Sequence, residues 1–437
     1  RWLTAEVSER IDAKKERFKV WLASKEENKD ATYQIYKEAS RACLKATRKA
    51  KKEQINKKCM ELEADAKAKN NRAVYQKVKE LKGVENGRGG LLRDEMGNLI
   101  LDARKRKERW KGHFEKLLNA GRDVSVPILN EEINETAEEP APTEIEVLLA
   151  IGKLKNRKAA GYDEMFAEYL KRGGDILTRK VYELIVKIWN SEEIPEDWRK
   201  SIIVPLFKKG DRSMCDNWRG ISLLSVVGKV FTNIILERLS KSVDEKLSEN
   251  QAGFRKERGC SDQIFTLRRI MEQAKAENIT MHMCFVDLKA AYDTVNRKAL
   301  FNILPQYEVS QKICRLIKKL YEGTRAAVKV DGELTDWFEI TTGLRQGCLL
   351  SPILFNIYFD FVLREAIRDM DHGIVIEYRM PDGRIVRGTQ VEGVEKILVL
   401  LYADDLVLIC ENGEALAEIM RRIEESTQKW EQKYDQR

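Results

Sequence analysis

The sequence predicts an α+β fold, a mainly antiparallel sheet flanked by helices, and three observations carry that expectation. Apolar residues recur at helical spacing, as in Val181, Leu184, Ile185, Ile188 and Trp189. Short apolar runs read as strands: Ile202 to Phe207, Met283 to Leu288, and Ile397 to Cys410. Helices outnumber these runs and do not alternate with them one for one. That argues against a parallel α/β sheet and for helices on one face of an antiparallel one.

Residues 1–82 read as a charged helical segment. Phe18, Trp21 and Leu22 share one helical face, Ile55, Cys59 and Leu62 another, and no proline interrupts the stretch. Its basic residues Arg41, Lys45, Arg48, Lys49, Lys51, Lys52, Lys57 and Lys58 suit nucleic-acid phosphates, but interleaved acids favour a plain solvated helical spacer. Residues 83–142 hold a glycine-rich turn (Gly83 to Gly97), a helix through Trp110, Phe114, Leu117 and Leu118, and an acidic, proline-punctuated linker over 123–142. Thr143 and Glu146 form the capping-box signature that opens the next helix. Two further amphipathic helices run through Val227, Val230, Phe231, Ile234 and Ile235, and through Ile313, Leu316, Ile317 and Leu320.

With 43% hydrophobic and 34% charged residues, the chain can build a large core under a charged surface, which excludes a disordered chain. A net charge of +8, spread over 437 residues, says little by itself about a polyanionic partner. The eight cysteines form no C-x-x-C pair and histidines number three, which speaks against a zinc site. Several cysteines lie in apolar runs, as buried thiols of a reducing compartment would. No apolar run approaches the roughly 20 residues that span a bilayer, and no signal peptide is visible. Arg1 at the start and Arg437 inside a helical pattern suggest cuts in a longer chain.

The most informative segment is Ile397 to Cys410, an apolar run interrupted by Asp404 and Asp405. A continuous helix would bury both acids among leucines, at a cost that excludes it. A β-hairpin with Tyr402-Ala403-Asp404-Asp405 at its tip places them at the surface. Two acids at one tip repel unless a hard divalent cation neutralises them, and an ordinary solvated turn is the equally weighted alternative. Asp287 ends the strand that precedes it, a common place for a binding site, and a meeting of Asp287 with Asp404 would make a carboxylate cluster able to hold two Mg²⁺ ions. Asp293 reads as the cap of the helix through Leu300. In Gly343 to Pro352, Ser351 is a natural N-cap, Pro352 a natural first helical residue, and Gly347 allows a close backbone approach; taken alone, a plain loop-to-helix junction explains the segment.

Taken together, these segments resemble a known family. In chain order they are Asn-Arg-Lys-Ala-Ala-Gly161, Pro-Leu-Phe-Lys-Lys-Gly-Asp211, Asn-Trp-Arg-Gly-Ile-Ser-Leu-Leu224, Gln-Ala-Gly-Phe-Arg255, Phe-Val-Asp-Leu-Lys-Ala-Ala-Tyr292, Leu-Arg-Gln-Gly-Cys-Leu-Leu-Ser-Pro352 and Tyr-Ala-Asp-Asp405. Their order closely resembles the reverse transcriptases of non-LTR (LINE-like) retrotransposons, from about Glu85 onward. A hairpin-like insertion around Tyr378 to Gly383 is similar to the RTE-type branch.

The resemblance implies right-hand polymerase architecture: fingers over 143–281, and over 282–437 a palm with some fingers elements interleaved, without a thumb. It implies two Mg²⁺ ions (Mn²⁺ as substitute) on Asp287, Asp404 and Asp405, and in-line attack of a primer 3′-hydroxyl on a dNTP. Tyr292 then excludes the 2′-hydroxyl, although alone it reads as a core aromatic. Arg219 and one of Lys208 and Lys209 face the triphosphate, while Leu288, Gln346 and Gly347 line the nucleotide pocket. Gln251, Gly253, Phe254 and Arg255 lie near the template, with a packing turn as the even alternative. The implied partners are an RNA template, a DNA primer or target and dNTP, with no membrane, in an intracellular ribonucleoprotein of nucleus and cytoplasm. The competing readings are a catalytically inactive nucleic-acid-binding relic, and an RNA-dependent RNA polymerase, against which Tyr292 argues.

Overall fold

A computed structural model describes residues 4–25, 28–68, 92–120, 127, 129, 139–288, 290–370, 372–373, 377–379, 385–387 and 397–430. It divides into two compact units, Arg1–Gly89 and Gly90–Arg437. Most of the acidic linker and of the Gly83 to Gly97 turn lies outside the described residues.

The first unit is a hairpin of helices α1 (Ala5–Ala23) and α2 (Lys29–Lys67). Thr4 caps α1 by accepting the Val7 N–H. Phe18 and Trp21 meet Tyr33 and Tyr36 of α2, with the Trp21 and Tyr36 rings stacked at 5.7 Å. Leu22, expected on that face, is 63% exposed, and Ile55 and Cys59 are exposed too. Two helices bury one narrow stripe each, so the flank of that stripe stays in water.

In the second unit, α3 (Ala103–Leu117) carries Trp110 and Phe114, and α4 (Glu144–Lys153) opens on the expected capping box. Then come α5 (Ala167–Arg172), α6 (Gly174–Ser191) and α7 (Glu196–Arg199). The helices that follow are α8 (Val226–Val243), α9 (Cys260–Ala276), α10 (Arg297–Ile303), α11 (Gln311–Tyr321), α12 (Ser351–Ala366) and α13 (Gly413–Lys429). No helix among the described residues is long and apolar enough to cross a membrane.

Two sheets organise this unit. One is the antiparallel sheet β11 (Val399–Tyr402), β12 (Asp405–Cys410) and β5 (His282–Asp287). The other is mixed: β4 (Trp218–Leu223) pairs antiparallel with β3 (Lys200–Phe207), which pairs parallel with β6 (Arg325–Val330). β7 (Glu333–Leu334) and β8 (Phe338–Glu339) close against β6. Short hairpins join β1 (Leu92–Arg93) to β2 (Leu99–Ile100), and β9 (Glu377–Arg379) to β10 (Ile385–Arg387). The sheets are therefore mainly antiparallel, as expected; among the described strands β3 and β6 pair in parallel, and Gln251 adds a parallel bridge to Leu401 of β11.

Helices cover both faces of the first sheet, where one face was expected. Leu406, Leu408 and Cys410 join the main core with Leu354, Tyr358 and Ile419 of α12 and α13. Leu400 and Ile409 form a separate cluster with Ile270 of α9. Since successive residues of a strand face opposite ways, α9 backs the other side. Double coverage is why the run around the acids is apolar without alternation.

The cysteines carry no disulfides. Cys43, Cys215, Cys348 and Cys410 are buried as expected, whereas Cys59 and Cys260 are exposed.

Candidate active site

The acids come together through sheet register. β11 and β12 form the hairpin, with Tyr402 opposite Asp405 and the turn made by Ala403 and Asp404. β5 lies on the other side of β12, and Asp287 stands directly opposite Asp405. Partners across such a ladder have Cα atoms about 4.5–5.5 Å apart. The register follows from the apolar pattern, because a slip of one residue would turn Leu406 and Leu408 out of the core.

The electrostatics follow from this crowding. Partial burial, then Asp404 and Asp287, raise the pKa of Asp405, and Lys208 opposes them. Burial, then Asp404, raise the Tyr292 hydroxyl well above its ordinary range. Lys208 lies just past the end of β3, and its positive charge acts on Asp405. The donor set is all oxygen and its charges repel, which suits a hard divalent cation. Among the described residues, no three His, Cys, Asp or Glu side chains close into a ready-made metal cage.

A turn after β5 brings Tyr292 into the same region. Its ring stacks on Phe355 of α12 at 4.8 Å and meets Phe254 edge-on at 6.5 Å. The Tyr292 hydroxyl is buried without a hydrogen-bond partner among the described residues. Leu288 is buried beside Asp287.

Asp293 departs from expectation. Asn296 caps α10 instead, accepting the N–H groups of Lys298 and Ala299. The Asp293 Oδ2 accepts from Gln346 Nε2 at 2.6 Å. Burial pushes the Asp293 carboxyl up to about 7, against Gln346 and Arg219, which pull it down. A carboxyl next to an invading loop is better placed to hold that loop than to cap a helix three residues away.

The loop is pinned on several sides. Leu344 N–H donates to Tyr292 O at 2.7 Å, and Ser222 N–H to Gln346 O at 2.7 Å. Gly347 has φ +128°, and a Cβ there would lie 2.4 Å from Ser222 O, so glycine is required. Arg219 stands exposed on β4, paired with Leu206 of β3, and acts on Asp293. Ser351 is the first residue of α12 and not its cap, a position held by Leu350. Its hydroxyl donates to Arg345 O at 2.8 Å.

The segment expected near the template divides. Gln251 is 1% exposed and Arg255 is 7% exposed, with both side chains turned inward. Arg255 binds Asp244 Oδ1 at 2.8 Å and the carbonyls of Asp244, Ser248 and Gln251. Gln251 and Gly253 pack against Ala403, beneath the acidic turn. Phe254, with φ +57°, is 61% exposed beside Tyr292. The side chains of Gln251 and Arg255 are therefore committed to the fold, and Phe254 is the one presented to solvent.

Two arginines escaped sequence reasoning. Buried Arg297 donates to the carbonyls of Gly343, Tyr321 and Ile340 and to Thr324 Oγ1. Buried Arg345 donates to the carbonyls of Trp198 and Leu320. Both guanidinium groups lie over the Tyr321 ring, at 4.9 and 5.3 Å. They hold the ends of the Gln346 loop. Their neighbours gave no warning: Arg297 lies between Asn296 and Lys298, and Arg345 between Leu344 and Gln346.

Comparison with known proteins gives concordant matches. Residues 207–436 match the family described as reverse transcriptase (RNA-dependent DNA polymerase). A 149 kDa protein of transposon TX1 from Xenopus laevis is 25% identical over 66% of this chain and 21% of its own length. An RNA-directed DNA polymerase from mobile element jockey of Drosophila funebris is 27% identical, over 65% of this chain and 30% of its own. A Pol polyprotein of the type-1 retrotransposable element R2 from Nasonia vitripennis is 27% identical, over 48% and 19%. The chain spans less than a third of the length of each of these relatives.

Proposed function

The chain belongs to the reverse transcriptase family, and from that premise we propose that it is the RNA-directed DNA polymerase of a non-LTR retrotransposon, joining dNTPs to a primer 3′-hydroxyl on an RNA template. The observation that carries this reading is the in-register pair Asp287 and Asp405, with Asp404 on the adjoining turn.

Asp287, Asp404 and Asp405 would hold two Mg²⁺ ions, or Mn²⁺ in their place. An open carboxylate set suits Mg²⁺, which commonly binds through one or two carboxylates together with substrate phosphates. Bound there, the ions supply a lowered pKa for the 3′-hydroxyl and neutralise charge on the α-phosphate and the departing pyrophosphate.

The chain's own residues position and select. Lys208 and Arg219 offer cations to the triphosphate, where a guanidinium fork suits phosphate oxygens. Leu288, Gln346 and Gly347 shape the pocket, with Gln346 oriented by Asp293. Tyr292, backed by Phe355, forms a floor under the sugar that leaves no room for a 2′-hydroxyl. Phe254 offers an exposed ring for stacking on a template base.

On this reading residues 143–281 supply fingers and 282–437 a palm, with β6 returning to the fingers sheet through its pairing with β3. The hairpin of β9 and β10 before the acidic turn supports an RTE-type branch. The partners are RNA template, DNA primer or target and dNTP, in a ribonucleoprotein of nucleus and cytoplasm.

Primer extension on an RNA template tests the proposal. Extension with dNTPs that stops on chelation of Mg²⁺ is the expected result. No extension with either Mg²⁺ or Mn²⁺ would sink it.

A further inference from the structure

The resemblance places Gln251 near the template, but its side chain is bound elsewhere. Ala403 N–H donates to Gln251 Oε1 at 2.9 Å, and Gln251 Nε2 donates to Ala403 O at 3.3 Å. Gly253 N–H donates to the same Oε1 at 2.8 Å. One carboxamide therefore grips both peptide planes that flank Ala403, the residue just before Asp404. A carboxamide is the neutral side-chain group that both donates and accepts in this fork geometry.

The grip acts on an unfavourable conformation. Ala403 has φ +59°, a left-handed region that a residue with a Cβ rarely adopts. Holding the N–H and the C=O of one residue fixes its φ and ψ, and so fixes where the chain delivers Asp404. The surroundings reinforce the clamp. Leu401 N–H donates to Asn250 O and Ala252 N–H to Leu401 O, both at 3.0 Å, so residues 250–252 run as a short parallel partner of β11. A Cβ on Gly253 would lie 2.2 Å from Ala403 N, and Asn356 Nδ2 of α12 holds Gly253 O at 2.8 Å. Gln251 is 1% exposed, so water does not compete for its bonds.

We propose that Gln251 is a positioning residue of the acidic turn: its carboxamide clamps Ala403 and thereby aims Asp404 and Asp405 at the divalent cation. The inference rests on the polymerase reading, and the test keeps the two separable.

The experiment uses the full chain and two variants. Gln251→Met fills a similar volume without the hydrogen bonds, and Gln251→Glu keeps the oxygen that accepts from Ala403 and Gly253. Mn²⁺ affinity is measured by electron paramagnetic resonance without primer or nucleotide, and single-nucleotide incorporation gives kcat and KM. Gln251→Met is expected to weaken Mn²⁺ about 10-fold, as loss of a group that orients metal ligands does. It is expected to lower kcat about 100-fold through misplacement. KM for dNTP and RNA affinity stay within about twofold, since binding surfaces are untouched. Gln251→Glu recovers most of both losses. Wild-type Mn²⁺ affinity and kcat in Gln251→Met, equal losses in both variants, or a loss confined to RNA affinity would each overturn the clamp. Should Gln251→Met fail to fold, Gln251→Glu decides alone: Mn²⁺ affinity within about threefold of wild type supports the clamp, and a loss of about 10-fold or more refutes it. A wild-type chain that binds Mn²⁺ but extends no primer counts against the polymerase reading, and the Mn²⁺ shift then judges the clamp. A wild-type chain that binds no Mn²⁺ overturns both.

Discussion

Asp287 and Asp405 stand directly opposite each other in the β5–β12 ladder, each at the end of its strand nearest the Ala403–Asp404 turn. Like charges so paired cost roughly 0.2–1 kcal/mol. The divalent cation proposed above would relieve that repulsion. Asp405→Asn is therefore expected to raise the unfolding temperature slightly in the presence of a chelator. Added Mg²⁺ should raise it for the wild type and much less for the variant, by mass action on the folded state. Thermal scans with and without Mg²⁺ check this; identical Mg²⁺ shifts in the two proteins would contradict it.

Asp404→Asn separates catalysis from binding. Losing one carboxylate that stabilises developing charge is expected to cost at least about 10³-fold in kcat. RNA affinity should hold within about threefold, because the proposed function gives phosphate contacts and stacking to other residues. Rapid-quench incorporation and RNA titration make the comparison. Proportional losses in both would mean that the acid is structural.

Tyr292 makes two separable contributions. Tyr292→Ala removes the ring stacked on Phe355 and should raise the ratio of ribonucleotide to deoxynucleotide use by about 10-fold or more. It should also cost stability, about 3 kcal/mol for a large-to-small change against the core. Tyr292→Phe keeps the ring and removes a buried hydroxyl without a partner among the described residues, so it should keep both selectivity and stability. Competition between dNTP and NTP on one template gives the ratio. Relaxed selectivity in Tyr292→Phe would shift the gate from the ring to the hydroxyl.

Much of this was legible because it is periodic. The helices through Val181 to Trp189 and Ile313 to Leu320 form where the apolar stripe put them. The hairpin at Tyr402 to Asp405 followed from the cost of burying two acids. Long-range pairing was not legible. Nothing in Ile202 to Phe207 announces a parallel partner at Arg325 to Val328, because strand choice is made by tertiary packing. The same limit hid the fates of Gln251, Asp293 and Arg255. Each is a polar residue whose partner lies far away in sequence or on another element, so its local context offers only caps and turns. The rule that polar residues in a motif face the ligand fails wherever they satisfy buried backbone instead.

Asp293 gives a pH dependence with a definite sign. Its carboxyl, pushed up to about 7 by burial, keeps a proton in the folded chain that the unfolded chain releases near pH 4. The native state thus binds more protons between about pH 4 and 7, and stability falls as pH rises through that window. Asp293→Asn removes the titration and keeps an oxygen for Gln346 Nε2. Its unfolding temperature should fall less than that of the wild type between pH 4.5 and 7.5. Parallel profiles would mean that Asp293 titrates like an exposed acid.

Arg255 tests how far the segment from Gln251 serves the fold. Its guanidinium binds one carboxylate oxygen and three carbonyls on two sides of a buried site. An ammonium cannot reproduce that fork, so Arg255→Lys is not conservative here. Arg255→Ala removes the donor from the carbonyls of Asp244, Ser248 and Gln251, while the half-exposed Asp244 carboxylate turns to water, so the loss should be about 1–3 kcal/mol. Because the side chain is turned inward, RNA affinity per folded molecule should be unchanged in Arg255→Lys at a temperature where it remains folded. Denaturant unfolding gives the stability loss, and RNA titration at low temperature gives the affinity. A salt-sensitive drop in affinity with unchanged stability would instead place Arg255 against the nucleic-acid backbone, where an exposed arginine would act through phosphate contacts.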